Sequence, residues 1–204
     1  MCPAAQVVAL GAGCSRLKLD DAVWADVLVK GGTFAQYVVA NENQTGLMPT
    51  TLTFAEAGSI PLVGGTGLVA LQAADKVAPW IGRPNVTVVV TSGTGGTGFI
   101  GVQLAKAMGA ARVVTAATGA ANIAYCRSIG ADVVVDYHKQ NLFDVLAENS
   151  VDVVYDNFGA KGTADRAMPK VRAGGVIFVL PGGNGGTISK HPKPGVKQIG
   201  VEPE

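Results

Sequence analysis

The sequence is poor in the residues that extracellular, metal-binding or nucleic-acid-binding proteins depend on. Cys2, Cys14 and Cys126 are odd in number and far apart, so they read as reduced thiols rather than a disulfide framework. The only histidines, His138 and His191, share no short spacing with a cysteine or with each other. Zinc sites use spacings such as C-x2-C or H-E-x-x-H, so a metal is not expected. No apolar run approaches the roughly 18 residues of a membrane span, and MCPAAQVVALGAGCS lacks the basic start of a signal peptide. The expected compartment is the cytoplasm, with an organelle lumen as the other option. A formal net charge of +1 argues against nucleic acid and anionic membrane as partners, since both want a basic excess. The most telling lack is local: from Lys76 to Arg127 there is no aspartate or glutamate, while Lys76, Arg83, Lys106, Arg112 and Arg127 are present.

That acid-free stretch surrounds the strongest motif. Asn85 to Gly101, NVTVVVTSGTGGTGFIG, runs from β-branched residues into a turn with Gly93, Gly95 and Gly98 at G-x-G-x-x-G spacing. A helical pattern through Ile100, Val102, Leu104 and Met108 follows. Strand, glycine turn and helix together form the dinucleotide-binding context, in which backbone N–H groups and the helix N-terminus meet a pyrophosphate. Cofactors without a 2′-phosphate are usually held by an acid at the end of the second strand, about 20 residues further on. Here Arg112 to Ala117 ends in Thr118 with no acid, and Thr118, Asn122 and Arg127 offer donors to a phosphate. The cofactor expectation is therefore NADP(H).

A chain of 204 residues that is 48% hydrophobic with 28 glycines suits an α/β protein rich in tight turns. Before about residue 50, short strands are expected at Ala5 to Leu10, Ala22 to Val29 and Phe34 to Ala40. Thr51 to Val77 reads as helical, with Thr53 and Glu56 as a capping box. Pro61 and Gly64-Gly65 are expected to break it from a second piece, Thr66 to Ala74. From Val86 the pattern alternates. Strands are expected at Val86 to Thr91, Arg112 to Ala117, Asp132 to Asp136, Val151 to Tyr155 and Val176 to Leu180. Helices are expected at Thr97 to Met108, Ala120 to Ile129, Asn141 to Ala147 and Gly162 to Val171, with Gly109, Gly130 and Gly174 ending helices. Alternation of this kind with Val-rich strands argues for a parallel sheet covered on both faces. The tail from Pro181 shows only an extended segment near Val196 to Val201.

Several further motifs carry a resemblance. They are Gly32 to Tyr37 (GTFAQY), Ala55 to Gly58 with Ile60 to Thr66 (IPLVGGT), the Ser92 to Gly98 turn, Ile129 to Asp132 with Asp136-Tyr137, and Val151 to Asp156 (VDVVYD). In order and spacing, over about residues 5 to 182, the sequence resembles the medium-chain dehydrogenase/reductases, in the zinc-independent quinone oxidoreductase (zeta-crystallin-like) and enone reductase branch. The resemblance implies a Rossmann-type doubly wound parallel sheet with a partial GroES-like β segment at the N-terminus. The division it suggests is 1–50 partial GroES-like catalytic domain, 51–84 connecting helical segment, 85–182 Rossmann NADP(H)-binding domain and 183–204 Gly/Pro-rich tail. It also implies that a family member has a further N-terminal stretch and a sixth Rossmann strand that this sequence lacks, making it a fragment or a reduced member.

Site residues follow in part from the resemblance. Thr66 is placed beside the nicotinamide and Tyr137 beside the adenosine phosphate. Gly93, Thr94, Gly95, Gly96, Thr97 and Gly98 wrap the pyrophosphate. Thr118 and Asn122 face the ribose phosphate. Asn157, Phe158 and Gly159 after the fourth strand, and Leu180 and Pro181 after the fifth, lie at strand carboxyl ends, where open sheets bind ligands. No side chain stands out as catalytic: Tyr125 is followed by no lysine at helical spacing. Without a Lewis acid, the fitting reaction is hydride transfer from NADPH to a quinone or α,β-unsaturated carbonyl, whose conjugation supplies the electron demand. The alternatives are a nucleotide-binding or regulatory module without catalysis, and a structural role on the same fold. The partner expected is a small quinone or enone, and a homodimer stays open.

Overall fold

The computed structural model describes residues 3–27, 32–74, 85–181 and 184–200. The chain divides into two units, Met1–Gly65 and Thr66–Glu204.

In the first unit, β1 (Ala4–Gln6), β2 (Ala22–Ala25) and β3 (Thr45–Leu47) form an antiparallel sheet in the order β1-β2-β3, which fits the GroES-like segment. The Glu42 carboxylate accepts the backbone N–H groups of Ser15, Arg16 and Leu17, tying that loop to the turn before β3. The helix α1 (Phe54–Gly58) starts at Thr53, which forms the expected capping box with Glu56. The expected strand Phe34 to Ala40 is not formed, and Phe34 and Val39 are each 93% exposed. Apolar alternation suits a strand but supplies no neighbour to pair with. The end of the expected Ala22 to Val29 strand lies outside the described residues.

One further correction concerns the second helix. Gly64-Gly65 does not break it: α2 runs unbroken over Pro61–Ala74. Pro61 opens the helix, where its missing N–H costs nothing, and the Gly64 N–H donates to the Ile60 carbonyl at 2.6 Å.

The second unit holds β4 (Thr87–Val90), β5 (Arg112–Ala117), β6 (Val133–Asp136), β7 (Val151–Asp156), β8 (Val171–Val179) and β9 (Lys197–Ile199), wholly parallel in the order β6-β5-β4-β7-β8-β9. Its central strands are rich in valine because both faces are covered. On one face, Ala70 and Leu71 of α2, Val102 and Ala105 of α3 (Gly96–Ala107) and Cys126 of α4 (Ala120–Ser128) pack on Val88, Val90, Val113 and Tyr155. On the other, Leu142, Phe143, Leu146, and Ala164 and Ala167 of α5 (Thr163–Ala167) pack on Val89, Val114, Val154 and Ile177. This is the expected Rossmann-type doubly wound fold. Within the Ile129 to Asp132 motif, Asp132 accepts the Val113 N–H at 2.6 Å and the Lys106 ammonium at 2.8 Å, and so joins α3 to the edge of β5.

Three expectations need correction. Asn141 to Ala147 is a single 3-10 turn, Leu142–Val145, capped by Asn141. Gly162 to Val171 shortens to α5 and the 3-10 turn Met168–Lys170, because Pro169 opposes further α-helix and Val171 already belongs to β8. The sixth strand, expected to be missing, is present: Lys197–Ile199 in the Gly/Pro-rich tail pairs along β8 as β9, too short to show a period of its own.

Helix α3 approaches the sheet at Gly101, where an added Cβ would lie 3.0 Å from the Tyr155 ring. Gly101→Val is expected to lower stability by about 1–3 kcal/mol through overpacking. Gly65→Ala, at an exposed position of α2 with nothing within 4 Å of an added Cβ, is expected to raise it by up to about 1 kcal/mol through helix propensity. Thermal denaturation of both variants checks the pair; equal effects would contradict the close α3–sheet contact.

Candidate functional site

Strand order reverses at β4: β5 and β6 lie to one side, β7, β8 and β9 to the other. The carboxyl ends of β4 and β7 therefore frame the crevice in which open α/β sheets bind ligands. The chain leaving β4 is tied to both neighbours, because the Thr91 N–H donates to the Tyr155 carbonyl at 3.1 Å and the Gly93 N–H to the Ala116 carbonyl at 3.0 Å. The inner side of Gly93 is closed by Thr115 and Cys126, which an added Cβ would meet at 2.7 and 2.8 Å. Buried Thr115 donates its hydroxyl to the Val90 carbonyl at 2.6 Å.

Gly98 lets the chain fold back on itself. A Cβ there would lie 1.6 Å from the Ser92 carbonyl oxygen and 2.9 Å from Asn157 Nδ2. One turn later Gly101 brings the helix close to the sheet, at Tyr155. Gly95 caps α3 without a side-chain acceptor, and Thr94 and Gly96 are exposed. The first N–H groups of a helix have no intrahelical partner, so this 12-residue helix presents donors and a positive dipole end to an anion.

Opposite the turn stand Asp156 and Asn157. The Asn157 Oδ1 accepts the Ser92 N–H at 2.9 Å, and its Nδ2 donates to the Ser92 carbonyl at 3.0 Å and to Thr97 Oγ1 at 3.3 Å. The Thr91 hydroxyl donates to Asp156 Oδ1 at 2.8 Å and lies 3.2 Å from Asn157 Oδ1. Asp156 Oδ1 also accepts the Gly159 N–H at 3.0 Å, while Oδ2 is buried with no hydrogen-bond partner among the described residues. Burial pushes the Asp156 carboxyl above its ordinary value; the hydrogen bonds from Thr91 and Gly159 oppose this.

At the end of β5 the structure corrects one premise. Ala117 pairs with Asp136, and the Asp136 carboxyl is held low by the Thr118 hydroxyl, the His138 N–H and nearby Lys139. A negative charge thus reaches the second strand's end from the third strand, brought by register rather than by sequence distance. Lys139 Nζ lies 3.7 Å from it. Asn122 donates to the Thr118 carbonyl at 2.9 Å, and exposed Tyr137 lies against His138 with ring centroids 4.9 Å apart.

Thus Gly93 to Gly98, Thr118, Asn122, Tyr137, Asn157, Phe158, Gly159, Leu180 and Pro181 all fall just beyond the carboxyl ends of β4 to β8. Leu180 joins the β7 end through its N–H to the Asp156 carbonyl at 2.9 Å. Thr66 is on α2, which abuts α3 where Gly67 meets Leu104. Sequence reasoning did not single out Thr91, Ser92, Thr115, Asp136 or Asp156 as site residues. Of these, Thr91, Asp136 and Asp156 left a signal as polar residues closing valine-rich runs, and Ser92 as the start of the glycine motif.

The model of the family described as zinc-binding dehydrogenase matches residues 96–201. The chain is 33% identical over 183 residues to a 2-methylene-furan-3-one reductase of Solanum lycopersicum, covering 86% of this chain and 44% of that protein. It is 32% identical over 183 residues to an NADPH-dependent alkenal/one oxidoreductase, chloroplastic, of Arabidopsis thaliana, covering 86% and 45%. It thus spans less than half the length of either relative. A solved quinone oxidoreductase from Coxiella burnetii superposes with a TM-score of 0.74 at 26% identity, covering 89% of this chain and 55% of that one.

Two variants test the site's packing and charge. Gly98→Ala is expected to cost about 2 kcal/mol or more, since a backbone carbonyl must move; urea denaturation measures it. A carboxyl whose folded-state pKa is raised stabilises fully below its unfolded value and loses that contribution as pH rises through the folded value. Wild type is therefore expected to lose stability relative to Asp156→Asn as pH rises from about 4, by about 1.4 kcal/mol for each pH unit separating the two pKa values. A pH-independent difference in melting temperature would contradict it.

Proposed function

Because the chain belongs to the medium-chain dehydrogenase/reductases, in the family described as zinc-binding dehydrogenase, we propose that it transfers a hydride from NADPH to a quinone or α,β-unsaturated carbonyl without a metal. The observation that carries this reading is the glycine turn at the strand-order reversal, whose backbone is pressed to 1.6 Å of any added Cβ at Gly98 and whose outer face is left to Thr94 and Gly96. That cradle fits a pyrophosphate, which the N-terminus of α3 attracts. The names of the two plant relatives support an enone-type acceptor, and that of the bacterial structure a quinone.

The residues divide as follows. Thr94 to Thr97 bind the pyrophosphate through backbone N–H groups, Gly93 and Gly98 keep the chain close to it, and Thr66 lies beside the nicotinamide. Thr118, Asn122 and Tyr137 bind the adenosine phosphate, with Lys139 offsetting Asp136. Asn157, Phe158, Gly159, Leu180 and Pro181 line the crevice. Bound there, NADPH supplies the hydride. A conjugated acceptor supplies its own electron demand, so the site's work is to align donor and acceptor and exclude water. Among the described residues no three His, Cys, Asp or Glu side chains converge as metal ligands, and no helix is long and apolar enough to cross a membrane. The compartment proposed is the cytoplasm.

Mixing the protein with NADPH and a small quinone or alkenal is expected to oxidise NADPH, followed as loss of absorbance at about 340 nm, and chelator treatment is expected to leave the rate unchanged. NADPH binding without turnover would refute the enzyme reading, and lack of binding would refute the site.

A further inference from the structure

Asn157 makes a set of contacts that cofactor binding alone does not require. Its side-chain amide meets Ser92 on both backbone groups, accepting from the N–H at 2.9 Å and donating to the carbonyl at 3.0 Å. This two-point pairing copies the way one strand pairs with another, but it is made by a side chain, just beyond the end of β4. The arrangement leaves one orientation of the amide, since the reverse would set two donors and two acceptors against each other. The second proton of Nδ2 goes to Thr97 Oγ1 at 3.3 Å, so the amide touches both the start of the turn and the first turn of α3. The Ser92 carbonyl it holds is the atom that Gly98 must accommodate.

We propose that Asn157 is a positioning residue, which fixes the glycine turn in its pyrophosphate-binding shape by acting through Ser92 rather than through the cofactor. The proposal rests on the reading of that turn as the nucleotide site.

Replacing the amide by a carboxyl group tests the pairing. A carboxylate in Asn157→Asp still accepts from the Ser92 N–H but repels the Ser92 carbonyl, and it faces Asp156, on which Arg166 of α5 acts. Once protonated, the acid donates to the Ser92 carbonyl and accepts from its N–H as the amide does, and gives up only the donation to Thr97. NADPH affinity is measured by cofactor fluorescence for wild type, N157A and N157D at about pH 8 and about pH 5.5, each variant being divided by wild type at the same pH. N157A is expected to bind about tenfold more weakly at both pH values. N157D is expected to be about tenfold weaker or more at the higher pH and to recover to within about threefold at the lower. N157A within about twofold of wild type, or an N157D ratio that ignores pH, overturns the proposal. Should the variants fail to fold, amide hydrogen exchange of wild type decides: the Ser92 N–H is expected to exchange at least about 100-fold more slowly than the Thr94 N–H, and equal rates overturn the proposal. Failure of wild type to bind NADPH refutes the nucleotide site itself, while Ser92 protection still reports whether Asn157 holds the turn.

Discussion

The site is organised around one carbonyl oxygen, that of Ser92. It emerges from the end of β4, is held by the Asn157 amide, and presses against the backbone of Gly98 so closely that no side chain fits between. Because these atoms are fixed, the turn from strand to helix is fixed, and with it the direction in which α3 points its N-terminus. Gly101 against Tyr155 then seats that helix on the sheet, and Asp132 ties its last turn to β5 through Lys106 and the Val113 N–H. A site built this way is mostly backbone. Its specificity of shape comes from what is absent at each Cα.

The polar groups behind the turn follow a different logic. Thr91, Thr115, Asp156 and Asn157 direct their hydrogen bonds to backbone, to one another and to Thr97, whereas Thr94 and Gly96 are exposed. Asp156 is the exception, since one carboxyl oxygen is buried without a partner among the described residues. Near the valine-lined interior such a group is costly as an anion and far less so as an acid.

The parallel core was legible because both of its signals are local. Valine runs ended by glycine turns read as buried strands, and Arg112 to Ala117 is found with the expected bounds. The glycine turn was legible for the same reason. What escaped depended on register or on neighbours. Asp136 reaches the end of the second strand only because Ala117 pairs with it. Phe34 to Ala40 has a strand's composition but finds no strand partner among the described residues, and Gly64-Gly65 continues a helix because tertiary packing of Ala70 and Leu71 outweighs the propensity cost. Asn157 was visible as a residue of the crevice, yet its bonds to Ser92 join positions 65 apart, beyond any local pattern.

That separation has a kinetic meaning. Each neighbouring pair of strands in this sheet is parallel, so each pairing closes a loop across an intervening helix or turn, and topologies built from such distant contacts fold slowly. The link between Ser92 and Asn157 cannot form until β7 has paired beside β4. During synthesis, β4 and its glycine turn emerge well before β7, so for that interval the turn exists without the group that shapes it. The nascent chain therefore passes through a stage with a complete sequence motif and no competent pocket, and acquires the pocket only when the second half of the sheet docks.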